Sequence, residues 1–172
     1  MVSDSSLLLT TAQIGMALAG FAGLVTVLGR PVARQERLLN EIRFRSMVEL
    51  SLALVAFSLL PFVPARYGMA EETLWRLCSA IYAVGAVIFV AHGVLRNRQR
   101  MGRIRVAGRV TTLLIGIGCT LTLFLGLNAT GLFAGQEPAG YFAALFVHFL
   151  AAAFFFLRLL YAAMPREGEP AA

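Results

Sequence analysis

Five runs of apolar residues, each about as long as a bilayer's hydrocarbon is thick, divide the chain almost from end to end. They extend over residues 7–28, 47–63, 73–95, 110–133 and 139–163. A helix rising about 1.5 Å per residue needs roughly 20 apolar residues to cross about 30 Å of hydrocarbon. With 59% hydrophobic and 14% charged residues, a chain of 172 residues has too little polar surface to enclose five such runs in a soluble domain. The expected fold class is therefore all-α: one domain over residues 1–164, a bundle of five transmembrane helices, then a disordered cytoplasmic tail at 165–172. The second run is the shortest and carries Glu49. The first is expected to be a retained helix rather than a cleaved signal, because no basic residue precedes it and MVSDSS is slightly acidic.

The arginines orient this bundle. All fifteen basic residues are arginine. Arg30, Arg34, Arg37, Arg43 and Arg45 lie between the first and second runs, and Arg96, Arg98, Arg100, Arg103, Arg105 and Arg109 between the third and fourth. Arg158 and Arg166 lie at the C-terminal end, while the opposite side holds only Arg66 and Arg76 beside Asp4, Glu71, Glu72 and Glu137. Loops rich in Lys and Arg are retained on the cytoplasmic side during insertion. This alternation places the N-terminus outside, the C-terminus in the cytoplasm and the chain in a bacterial inner membrane. The net charge of +6 then needs no nucleic acid. Arg96, Arg98, Arg100, Arg103 and Arg105 are candidates to meet anionic lipid head groups or a cytoplasmic protein partner.

In the first arginine loop, Pro31 suits a first helical turn, and Leu38, Leu39 and Ile42 recur at one-turn spacing. An amphipathic helix is expected there, lying on the membrane or extending the second span. Pro61 and Pro64 should kink or end that span near the outer surface. Small residues mark helix contacts, because they let backbones approach closely in lipid. Gly15, Ala19 and Gly23 form one such stripe, with Ala17 and Gly20 on another side beside Gln13. Gly118, Thr122 and Gly126 form a third, in the fourth run. Association into a homo-oligomer is expected from them.

His148 is the most unusual residue of the fifth run. At about 100° per residue it shares a face with Ala144, Ala151 and Ala152, away from Phe142, Phe146 and Phe149, and it falls near the midplane. Two roles stand open: an interhelical hydrogen bond, or a proton-transfer or ion-path residue whose charge state would make flux depend on pH. Gln13 and Asn128 in the outer half, with His92 and Glu49 toward the cytoplasmic end, would complete a polar file through His148. Glu49 can instead pair with Arg45 one turn earlier, and Arg76 with Glu72. Arg158 is expected to snorkel to the head groups.

No catalytic or cofactor signature accompanies these residues. Cys78 and Cys119 are single and lie inside runs, His92 and His148 differ too much in depth for a shared haem, and no metal-ligand spacing occurs. The stretch RLLNEIRFRSMVEL is similar over fewer than fifteen residues to the Arg…Asn…Glu pattern of membrane-associated glutathione-handling enzymes. Asn40 precedes Arg43 and Arg45 here, and those enzymes have four spans, so no activity is carried over. The runs ALAGFAGLV and FSLLPF resemble segments of uncharacterised small bacterial polytopic inner-membrane proteins, a resemblance that implies the membrane and no activity.

The functional expectation is an oligomeric membrane protein conducting protons or a small ion. The alternative is a non-catalytic anchor, sensor or assembly subunit that docks a partner through its arginine-rich face. A lipid-modifying activity at Arg45 and Glu49 is a third possibility.

Overall fold

The computed structural model describes residues 4–28, 34–100, 108–133 and 135–163. Six helices account for most of them: α1 (Ser5–Leu28), α2 (Arg34–Leu59), α3 (Phe62–Arg66), α4 (Glu71–Arg100), α5 (Gly108–Ala129) and α6 (Glu137–Ala163). No strand occurs among the described residues. Pro31, Arg103, Arg105, Arg166 and the tail at 165–172 lie outside them.

The helix ends follow from local chemistry. Pro61 has no backbone N–H to continue the ladder, and α2 stops at Leu59 two residues before it. The short α3 follows around Pro64. Glu71 and Glu72 occupy the first turn of α4, and Glu137 opens α6, where carboxylates face the positive end of the helix dipole. The helix expected in the first arginine loop and the second span form one continuous helix, α2.

The chain divides into two compact units. One is Leu60–Val147 and contains α3, α4, α5 and the first part of α6. Its core is aromatic: the Trp75 ring centroid lies 5.5 Å from that of Tyr141 and 5.8 Å from that of Phe142, and Tyr82 meets Tyr141 edge-on at 5.6 Å. Such pairs contribute about 0.5–1.5 kcal/mol each beyond area burial. The other unit is Asp4–Leu59 together with the chain from His148 onward. Leu8, Met47 and Leu54 are fully buried in it. Here α1 packs on α2 at Gly15, where an added Cβ would stand 2.9 Å from Val55 Cγ2 and 3.0 Å from the Ser51 carbonyl oxygen.

Four stretches are long and apolar enough to cross a membrane: Ser5–Val25, Phe44–Arg66, Glu71–Gly93 and Glu137–Tyr161. In α5 the corresponding apolar stretch among the described residues is Gly116–Ala129, within a helix of 22 residues. Large apolar side chains such as Ile88, Leu123 and Phe146 are more than 60% exposed, which suits a hydrocarbon surrounding.

Candidate functional site

Within the unit that holds α1 and α2, several polar groups gather on and against the second half of α2. His148 is buried, and its Nε2 lies 3.0 Å from the Leu50 carbonyl oxygen. A carbonyl only accepts, so the ring donates from Nε2. The same imidazole lies 6.4 Å from the Phe57 ring, two turns along α2 from Leu50.

Ser51 and Ser58 follow those two contact residues in sequence. Both are fully buried, and neither Oγ has a hydrogen-bond partner among the described residues. The helical threonines behave differently. Thr10, Thr11, Thr120 and Thr122 each close a hydrogen bond of 2.8–3.0 Å onto the carbonyl one turn back. On the opposite side of α2 from Ser51 and Ser58, Glu49 is held by Arg45 Nε at 2.7 Å, the pairing expected from their spacing.

The second cluster belongs to the other unit. Arg76 on α4 pairs with Glu72 on its own helix and, at 3.3 Å, with Glu137 at the start of α6. Asn128, fully buried near the end of α5, donates from Nδ2 to Ser79 Oγ at 2.8 Å and to the Glu137 carbonyl at 3.0 Å. Two glycines make room. A Cβ at Gly131 would stand 2.5 Å from the Arg76 guanidinium, and one at Gly140 would stand 2.8 Å from Asn128 Oδ1. The cluster joins α4, α5 and α6 through charge-assisted and amide hydrogen bonds.

The remaining expected residues fall as follows. Gln13 on α1 and His92 on α4 are exposed. A Cβ at Gly118 would meet Val90 at 2.6 Å, whereas Gly23 and Gly126 have open space around them. Ala19 is half-buried, and the Thr122 hydroxyl turns back to Gly118 of its own helix. Arg96, Arg98 and Arg100 lie in the last part of α4. The Arg158 guanidinium sits 5.7 Å over the Phe154 ring. Ser51, Ser58, Ser79 and Glu137 were not singled out from sequence. The seven-residue spacing of the two α2 serines, which puts them on one helix face, was the available signal. No group of three or more potential metal ligands occurs among the described residues.

Comparison with protein-family models, with curated proteins and with solved structures gives no match.

Proposed function

We propose that the chain is a multi-pass membrane protein, oligomeric, that conducts protons or a small ion along α2. In this proposal α5 also crosses, as the fourth of five spans, the N-terminus is outside and the C-terminus is in the cytoplasm of a bacterial cell. The observation that carries conduction is the pair of buried, unpartnered hydroxyls on one face of α2, Ser51 and Ser58, which follow in sequence the two residues that His148 contacts. A hydroxyl without a partner costs about 1–3 kcal/mol by protein mutational measures, and water inside the helix bundle removes that cost. Ser58 and Ser51 share one face of α2 and are seven residues, about 10 Å, apart, with His148 held at Leu50 next to the second of them in sequence. Of the residues first considered for a path, His148 meets α2 at Leu50, next to Ser51, whereas Glu49 projects from the opposite side of the helix to the two serines. Asn128 is engaged by Ser79 and Glu137, while Gln13 and His92 face outward.

Flux through liposomes containing the purified chain tests the proposal. Proton or cation leak should rise above that of empty vesicles and fall in a Ser51→Ala/Ser58→Ala double variant. Identical leak in protein-containing and empty liposomes would overturn it. Sidedness is checked separately in a cysteine-free background, where a cysteine at Gln99 should escape an impermeant reagent added to intact cells.

One observation favours a second function, docking of a soluble partner. Helix α2 starts ten residues before the candidate span at Phe44, and α4 continues seven residues past Gly93. These extensions, about 15 and 10 Å long, carry Arg34, Arg37 and Arg43, and Arg96, Arg98 and Arg100. Co-purification of an acidic soluble protein, lost when those arginines are replaced by glutamine, would support this function.

A further inference from the structure

Helix α1 has two opposite sides with different chemistry. Leu8, Ala12, Gly15 and Ala22 are buried on one. Gln13, Ala17, Gly20 and Leu24 are exposed on the other, and at about 100° per residue they fall within about 60° of one another. Met16 and Phe21, 60% and 57% exposed, stand on either side of this line as walls. Of the four candidate spans, α1 has the smallest buried share, 22% of its apolar window against 33% in each of the others.

Gln13 decides what can cover that face. It is the ninth residue of the stretch Ser5–Val25, about 12 Å in from its start. Its carboxamide makes no hydrogen bond to a described residue, whereas Thr10 and Thr11 nearby satisfy themselves on their own helix. A primary amide facing hydrocarbon at that depth leaves two donors and an acceptor unsatisfied.

All copies of a membrane protein insert with one orientation. A two-fold pair therefore has its axis along the membrane normal, and residues near the axis face their own counterparts at equal depth. At such a position a carboxylate or ammonium meets like charge, and an aliphatic chain forms no hydrogen bond. A carboxamide, donor and acceptor together, bonds its own copy reciprocally. The intervals of four, three and four residues between Gln13, Ala17, Gly20 and Leu24 are those of a left-handed helix pair crossing at about 20°. Ala17 and Gly20 permit close approach.

The geometry points to a second copy of this chain as the occupant of the outward face of α1, with Gln13 hydrogen-bonded to Gln13 of the partner subunit and Ala17 and Gly20 at the closest approach. This rests on the oligomeric part of the proposed function and not on conduction.

Oxidative cross-linking in membranes tests it, using the full chain with Cys78→Ala and Cys119→Ser and one introduced cysteine at a time. Ala17→Cys and Gly20→Cys should give a covalent species of twice the chain's mass. Ile14→Cys and Phe21→Cys, also exposed but off the line, should not. Adding Gln13→Leu to Ala17→Cys should weaken association by roughly three- to eighteenfold, from the average to the strongest interhelical hydrogen bond measured in membranes. Equal cross-linking at all four positions would overturn the seam, as would a product with a different protein. Copies that associate by mass without cross-linking at Ala17 or Gly20 would refute the seam and leave the oligomer standing. A single-copy mass would remove both.

Discussion

Arg76 Nη2 lies 3.3 Å from Glu137 Oε1, so a guanidinium on α4 fixes the first residue of α6 across 61 positions of sequence. The Glu137 side chain is 3% exposed, whereas Glu72, the other partner of Arg76, is 61% exposed. Removing the cation from a buried carboxylate leaves a charge with little solvent, while an exposed pair on one helix contributes little. Arg76→Met should therefore lower the thermal unfolding midpoint in detergent by roughly 3–8 °C, and Glu72→Gln by less than about 2 °C. Equal effects would show that the Glu137 contact adds nothing to the pair within α4.

Gly131 lies against the same guanidinium. Its φ is +77°, and an added Cβ would meet Arg76 Cζ and Nη2 at 2.5 Å. Gly135 has a similar φ of +81° with nothing within 4 Å of the same position. Both glycines carry the left-handed cost of about 1–2 kcal/mol when replaced by alanine. Only Gly131→Ala also displaces Arg76, which its two carboxylates hold in place. Its loss of stability should exceed that of Gly135→Ala by about 1–2 kcal/mol, measured by chemical denaturation in the same detergent.

Gly140 and Asn128 should be coupled. A Cβ at Gly140 would lie 2.8–3.0 Å from three atoms of the Asn128 carboxamide, and hydrogen bonds to Ser79 and Glu137 stop that group from moving aside. Gly140→Ala should destabilise the wild-type chain and be close to neutral in an Asn128→Ala background. The interaction energy of the cycle should be about 1–2 kcal/mol. Additivity within about 0.3 kcal/mol would mean that the helices yield instead of the amide.

The Arg76 cluster also shows what was legible beforehand. Its pairing with Glu72 follows from a four-residue helical spacing, as does that of Arg45 with Glu49. The contact with Glu137 depends on which helices pack and at what rotation, and an apolar helix carries too little pattern to fix its rotation. The same reason separates Gly15 from Gly23 and Gly118 from Gly126. Four-residue spacing marks a face as able to approach a neighbour, and the approach occurs only where two helices cross. The apolar runs themselves were readable because length and composition decide them. Serine is common in helices, and only burial without a partner distinguishes Ser51 and Ser58.

Gly15 and Gly23 illustrate the consequence of a crossing point. Gly15→Ala drives a methyl group against Val55 and the Ser51 backbone oxygen, and backbone yields less readily than a side-chain end. It should cost about 1–3 kcal/mol by forcing α1 away from α2. Gly23→Ala meets nothing within 4 Å and should cost under about 0.5 kcal/mol. Equal losses in the two variants would mean that α1 and α2 do not cross at Gly15.

His148 donates to the Leu50 carbonyl at 3.0 Å, and two variants separate this clamp from a part in conduction. His148→Leu removes the donor and should lower stability by about 0.6–1.7 kcal/mol, from the average to the maximum measured for interhelical hydrogen bonds in membranes. His148→Gln keeps an N–H of comparable reach and should lose less. Neither replacement titrates between about pH 5 and 8, as an imidazole can. If protons pass through the imidazole, flux in liposomes should fall by about tenfold or more in both variants, because proton transfer by a positioned side chain commonly contributes factors of that size or larger. If His148 only ties α6 to α2, flux should follow stability, and His148→Gln should conduct like the wild type. That second outcome would leave the hydroxyls of Ser51 and Ser58 as the polar groups of the path, and their double alanine variant would then carry the whole test of conduction.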